Sequence, residues 1–384
     1  MIHTKIKGRQ NGATAIFVVM FSAMLFLIIS VGFVRLMVQE QSRSTNSELS
    51  QSAYDAALAG IEDGKRVLDI ANCEAGDTPE CLAVKNNGNT TCNIVQNIMG
   101  IGGSEEVLLK SQSSNATSGT FDQAYTCVRI DYSSPSYEGA VPMSLTDVVW
   151  LRGVSSYDKV RISWYSRDNM IQSGFTGNLY YPSSAADISL PDLQTWSGVS
   201  RPRPTILKVT HIPDAYGAIH DTQDKTLYLH PRVGAAGSAS FSLDNRRTGS
   251  TANIVPVTGC ISTFNAEEYA CSAVVSVPAA TSSYLNIASP YGATGYKVEL
   301  LDSSNSVVEF DGVQPVVDAT GRAGDVFRRV KARVEKMNGS DQRGLYPRAT
   351  VDITNNFCKV YSVGTVTSVY DDTIDDCKPF TAGP

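Results

Sequence analysis

Residues 8–36 read GRQNGATAIFVVMFSAMLFLIISVGFVRL, basic at the left, apolar through the middle and closed by Arg35. From Ala13 to Val34 no charge interrupts the run, and its only polar side chains are Thr14, Ser22 and Ser30. A secretory signal has an apolar core of roughly 7–15 residues before a small-residue cleavage site, whereas a helix needs about 20 residues to span hydrocarbon. The run belongs to the second kind. Lys5, Lys7 and Arg9 precede it and the first acidic residue is Glu40, so the N terminus is expected on the cytoplasmic side and the rest of the chain outside.

Beyond the run, residues 35–72 contain no proline and no strand-like alternation. Leu49, Ala53, Ala56, Ala57, Gly60, Ile61 and Leu68 recur at spacings of three and four, which predicts a helix continuing from the bilayer. Its first part, QEQSRSTNSELSQS (39–52), is polar on nearly every face, and such a stretch is helical only when something else holds it. That leaves either a flexible stalk or a segment packed on neighbouring subunits. Ala53, Ala56, Ala57, Gly60 and Ile61 permit close approach of a second surface, which is the chain's own sheet, a neighbouring subunit, or one on each side.

The 384 residues are 42% hydrophobic and 18% charged, an ordinary globular composition with length enough for one or two cores. A net charge of −6 supplies no domain-wide basic excess to release counterions from phosphates, which argues against a nucleic-acid partner. Cys73, Cys81, Cys92, Cys127, Cys260, Cys271, Cys358 and Cys377 all follow the apolar run, as suits an oxidising exterior. They form no C-x-x-C pair and have no nearby histidine, so disulfides are preferred to zinc. Eight cysteines allow about 105 pairings. The simplest are local: two bonds among the first four, then Cys260 with Cys271 and Cys358 with Cys377.

After Cys73 the texture turns to Asn, Gly, Ser and Thr between short β-branched and aromatic runs, which reads as strands and loops. In KVRISWYS (159–166), Val160, Ile162 and Trp164 alternate with Arg161, Ser163 and Tyr165, the pattern of a half-buried antiparallel strand. AYTCVRIDY (124–132), PTILKVTHI (204–212), KTLYLHPR (225–232), SASFSLD (238–244), CSAVVSVP (271–278) and TVDITNNF (350–357) read likewise. GYKVELLD and SVVEFDG flank a hairpin turn at Ser303, Ser304 and Asn305. GRAGDVFRRVKARVEKM (321–337) is a Gly-rich turn followed by a strand with a basic face from Arg328 to Arg333. Pro191, Pro202 and Pro204 mark either a boundary between two lobes near 191–204 or one long loop.

No G-x-S-x-G elbow, Walker loop, dinucleotide fingerprint or Cys/His nucleophile setting occurs, and neither a catalytic residue nor a cofactor is expected. His211, His220 and His230 lie near Asp214, Asp221 and Asp224 but fit no zinc spacing, and no metal site is assigned. Asp221, Gln223 and Asp224, and Asp371, Asp372, Asp375 and Asp376, lack the glycine-centred twelve-residue calcium pattern. Asn89-Thr90-Thr91, Asn115-Ala116-Thr117 and Asn338-Gly339-Ser340 match the glycosylation acceptor pattern and are read as loop chemistry.

A short basic leader ending in Gly12, a small residue at Ala13, an apolar helix and an amphipathic extension resemble the N terminus of type IV pilin-like proteins. More narrowly, QNGATAIFVVMF with Ala56, Ala57, Leu58, Ala59, Gly60, Ile61 and Glu62 is similar to PilX-like minor pilins, or to minor pseudopilins of a type II secretion-like system. The resemblance covers mainly the first 70 residues. The GRAGDVFRRV stretch and a disulfide closing Cys358–Cys377 resemble C-terminal features of the same proteins. It implies cleavage after Gly12 by a prepilin peptidase, leaving Ala13 as a free N terminus on a helix that first anchors the subunit and is later buried in a fibre. It also implies pilin-like subunits and the pilus assembly machinery as partners, with a host-cell or surface ligand for the head. Major pilins carry a glutamate five residues into the mature chain. Here that position is Phe17, as in minor pilins proposed to sit at a fibre tip. The rival reading is an uncleaved, signal-anchored surface protein.

The expected architecture is α+β: a cytoplasmic leader 1–12, a transmembrane and spine helix 13–72, and a mainly antiparallel, disulfide-bearing β head 73–384.

Overall fold

The computed structural model describes residues 12–73, 76–101, 106–109, 123–174, 177–181, 190, 196, 201–213, 225–233, 239–242, 254–264 and 268–334. The fold is α+β, a long apolar N-terminal helix followed by a mostly β body. In chain order come α1 (Gly12–Ala71), α2 (Pro79–Asn87), α3 (Ile94–Met99), β1 (Val107–Leu108), β2 (Gln123–Ser134), β3 (Tyr137–Val141), β4 (Thr146–Ser166) and α4 (Arg167–Gln172). Then follow β5 (Leu207–Pro213), β6 (Lys225–Val233), β7 (Ala239–Ser242), β8 (Ile254–Cys260), β9 (Tyr269–Ala288), β10 (Thr294–Leu301), β11 (Val307–Val308), β12 (Phe310–Ala323) and β13 (Val326–Arg333). The chain divides into two compact units, 1–134 with 311–336, and 135–310 with 337–384. The proline-rich stretch 191–204 therefore falls inside the second unit.

In the first unit α1 runs 60 residues without a break, the polar stretch 39–52 included. It stops at Asn72, which takes the left-handed φ of 37° that asparagine tolerates after a helix C terminus. Thr78 then starts α2 as its N-cap: the side chain accepts from the Cys81 N–H at 3.1 Å, and its hydroxyl donates to the Ala71 carbonyl at 3.1 Å. Pro79 follows at the first helical position, where its missing N–H costs nothing. Thr-Pro-Glu at 78–80 is a local start signal for this helix that sequence reasoning passed over, and α2, α3 and α4 are additions to the expected mainly β head. Disulfides Cys73–Cys81 and Cys92–Cys127 tie these pieces to α1 and β2.

The core of this unit lies between α1 and a sheet in which β1 pairs with β2, β2 with β12, and β12 with β13. Ile61, Val67, Leu68 and Ala71 meet Val128, Ile130, Tyr132, Val317 and Ala319, closed off by Val84, Ile94 and Val95. GRAGDVFRRVKARVEKM forms the expected Gly turn and strand: β12 turns at Gly324 (φ 59°) into β13, and Ala323 faces Val326.

In the second unit β4 is the central strand. Residues 146–152 pair antiparallel with β9, and 159–164 pair with β9 on one edge and β10 on the other. Irregularities between Arg152 and Tyr157 and between Tyr157 and Lys159 let 21 residues serve both stretches. β5 and then β6 extend the sheet beyond β9, and β3 and β11 pair with β10. β8 joins β6, and β7 joins β9, in parallel. The hairpin at Ser303–Asn305 is present, with Asp302 accepting from the Ser304 and Ser306 N–H groups and Asn305 at φ 66°. One expectation needs correction. Ser163 and Tyr165 are buried rather than solvated, because both faces of this central strand are covered: Ser163 donates to the Ser272 hydroxyl, and the Tyr165 N–H donates to Thr294. Cys260–Cys271 closes the turn between β8 and β9 as the local pairing anticipated. Cys358, Cys377 and TVDITNNF lie outside the described residues, as do residues 1–11.

Candidate functional site

Helix α1 carries two surfaces made from different material. Every large apolar side chain from Ile16 to Val38 is 45–76% exposed. The stretch is long and apolar enough to cross a membrane, and none of its most apolar window is buried within the chain. At ~1.5 Å per residue, Ala13 to Val34 covers ~33 Å, close to the ~30 Å hydrocarbon thickness of a bilayer. Gly12 opens the helix, Phe17 is 71% exposed on it, and the first acidic side chain along it is Glu40, ion-paired with Arg43. The interior of a watery solution is a poor place for such a surface, since each large apolar side chain gains about 1.5–3 kcal/mol on leaving water.

Four turns further on the helix is seated on its own sheet. Ala53, Ala56 and Ala57 are fully buried, and Gly60 and Ile61 are buried with them. The seat has a register. A Cβ on Gly64 would lie 2.5 Å from Val317 Cγ1, and one on Gly60 would lie 3.0 Å from Ala319 Cβ. A Cβ on Gly321 would lie 2.1 Å from the Ala53 carbonyl oxygen and 2.3 Å from the Ala57 nitrogen. Alternate strand residues, ~6.6 Å apart, thus meet helix residues one turn apart, ~6 Å, so the two repeats stay in step. Small residues are required on both sides because backbone meets backbone. Of the partners left open for this stripe, the chain's own sheet occupies it. Sequence reasoning named the helix side and missed Gly64 and Gly321. A glycine inside a strand pattern, as at Gly321, signals close backbone approach.

A polar clasp secures the seat. Tyr125 on β2 donates its hydroxyl to Asp63 at 2.8 Å, and Arg66 pairs with the same carboxylate at 2.9 Å. Burial, and then the hydrogen bond to Asp63, push the Tyr125 hydroxyl well above the ordinary phenol range.

The histidines do not converge. His211 sits opposite Lys225 in the β5–β6 pairing, and His230 lies five residues further along β6, ~17 Å away. His211 Nε2 hydrogen-bonds the Ser283 hydroxyl at 3.0 Å, and Tyr157 approaches that hydroxyl at 2.6 Å. All three are at most 2% exposed, which leaves a serine–histidine pair no route to substrate. Burial, with the Arg232 and Arg203 charges, pushes His230 down to about 4. Among the described residues no three His, Cys, Asp or Glu side chains are placed to hold a metal ion. His220, Asp214, Asp221, Gln223, Asp224 and the Asp371–Asp376 cluster lie outside the described residues. Asn89 is exposed and donates to Asp131, while Asn115 and Asn338 also lie outside them.

Comparison with protein-family models, with curated proteins and with solved structures found no match for this chain.

Proposed function

We propose that the chain is a minor subunit of a type IV pilus-like filament, inserted in the membrane by residues 13–34 and assembled through the same helix. The observation that carries this reading is the continuous α1, apolar and exposed from Ile16 to Val34 but seated on its own sheet from Ala53 onward. A rigid helix of this kind holds a folded head at a fixed distance from whatever covers its apolar half. Lipid covers it first, and other subunits' helices cover it in the fibre, so the surface passes from bilayer to bundle without meeting water. The three disulfides among the described residues suit a head exposed to an oxidising exterior. Phe17, in place of a carboxylate, supports a tip or initiating position over a repeated shaft position, because a buried terminal ammonium needs a counter-charge. The head then serves initiation, adhesion or surface contact.

The test is the N terminus of the protein recovered from membranes and from sheared surface fibres, read by intact-mass and terminal-peptide mass spectrometry. A start at Ala13 supports processing by a prepilin peptidase. A chain beginning at Met1 in both fractions supports the second reading, a permanent signal anchor carrying a surface-binding head, which the exposed apolar helix fits equally on its own.

A further inference from the structure

Between its apolar and its seated halves α1 crosses residues 39–48, where every side chain is exposed but that of Thr45, which is half-buried. The seat begins only beyond them, at half-buried Leu49 and at Ser50, whose hydroxyl accepts from Arg328 Nε at 2.8 Å. A helix that is polar all round stays folded through many pairs along its own surface, or else is not stable by itself. Among the described residues this stretch has a single ion pair, Glu40 with Arg43 at 3.5 Å, and its side chains are 71% and 79% exposed, so it contributes little. Thr45 donates its hydroxyl to the Gln41 carbonyl at 3.0 Å, a bond that competes with the helix's own ladder. Ser42, Ser44, Thr45, Asn46 and Ser47 are all poorer helix formers than alanine, because their short polar side chains compete for the backbone or lose rotamer freedom. Both flanks are better held. An apolar helix surrounded by lipid must keep its backbone bonds, and the residues from Ala53 onward are packed on the sheet.

We infer that residues 39–48 are a built-in hinge: this part of α1 opens while the helix on either side stays folded, and the head re-aims on its anchor each time it does. With the segment closed, α1 is the continuous helix of this structure. Opening the middle of a helix divides it in two and costs one extra nucleus, a factor of about a thousand. The segment's residues propagate helix with an equilibrium constant near one, so an opening can start at many places and spread cheaply, which leaves roughly one molecule in a hundred open at any time. Opening at the seat instead uncovers Ile61, Val67 and Leu68, and so follows unfolding of the first unit. The inference rests on the membrane-anchoring part of the proposed function, but not on cleavage after Gly12 or on a place in a fibre.

Hydrogen exchange of the full chain in detergent, read by mass spectrometry, tests it without fibres. The amides of residues 43–48 should be protected roughly a hundredfold relative to unstructured chain, and those of residues 57–68 at least about a further hundredfold. Trypsin should likewise cut after Arg43 well before it cuts after Lys65 or Arg66, whose side chains also reach solvent but lie on the seated part. A variant carrying Ser42→Ala, Ser44→Ala, Thr45→Ala, Asn46→Ala and Ser47→Ala should slow both events at the segment about thirtyfold and leave the seat unchanged. Equal protection of the two stretches in the unaltered chain overturns the hinge, and so does a variant whose exchange at 43–48 does not slow. The first of these needs no variant to fold. A Met1 terminus in both membrane and fibre fractions, together with fast exchange at 43–48, would remove the pilin reading and leave the hinge standing. An Ala13 terminus with equal protection would do the reverse.

Discussion

The two halves of α1 share one backbone conformation and no interface. From Ile16 to Val34 the helix is apolar but for Ser22 and Ser30 and is exposed all round, and nothing lies within 4 Å of where a Cβ on Gly32 would stand. From Ala53 to Ala71 it is amphipathic, and Gly60 and Gly64 are needed so that β2 and β12 can approach. The lesson is that helix propensity and apolarity do not say what a helix packs on. A stripe at three- and four-residue spacing makes a seat for one sheet, whereas an all-round apolar surface suits an environment that surrounds it.

Substitution of the two kinds of glycine should separate the halves most sharply. Gly321→Val places a side chain against the backbone of Ala53 and Ala57, which cannot yield without lifting α1, and should destabilise the first unit by about 3 kcal/mol or more in denaturant unfolding. Gly32→Val, in open space, should leave that unfolding unchanged. Equal effects from the two would show that the seat is not tightly registered. Leu27→Asp or Ile28→Asp should cost about 3 kcal/mol of membrane insertion and move the protein out of the membrane fraction, while the head keeps its unfolding midpoint. Normal incorporation of either variant into fibres would sink the proposed function.

Loss of Cys73–Cys81, by changing both residues to serine, frees a loop of eight residues' separation and should cost about 2.5 kcal/mol, felt in hydrogen exchange around Ala71 and α2 but not in residues 16–38. The smallest change is Tyr125→Phe. It removes the hydroxyl's bond to Asp63 and should cost about 1 kcal/mol. The folded chain holds this phenol protonated above its unfolded range. Its contribution is therefore full below about pH 10 and lost as pH rises beyond that. The Phe variant should show less alkaline loss of stability than the unaltered chain, measured across pH 9 to 12 or thereabouts.

Much of the fold was legible because it rests on local periodicity. The apolar run, the spacing of Ala53 to Ile61, the hairpin at Ser303–Asn305 and the turn into β13 each state their conformation within a dozen residues. The Cys260–Cys271 pairing was legible for the same reason, since short loops close most easily, whereas two bonds among the first four cysteines were expected without their partners, which the structure gives as Cys73–Cys81 and Cys92–Cys127. The burial of Ser163 and Tyr165 was not, because a strand's own alternation does not reveal what covers its second face. Nor did the spread of His211 and His230 along paired strands show in their closeness in sequence, where register sets distance.

The amino-acid sequence by itself determined that a long helix, apolar and then amphipathic, leads into a disulfide-bearing β-rich chain, because hydrophobic period, charge and chain breakers act over a few turns. Only the tertiary structure decided that Gly321 and Val317, some 260 residues away, are the surface on which the small-residue stripe rests, and that residues 311–336 return to complete the first unit. Those outcomes depend on which distant strand pairs with which and in what register, and that choice is made by packing of the whole core rather than by any local run of residues.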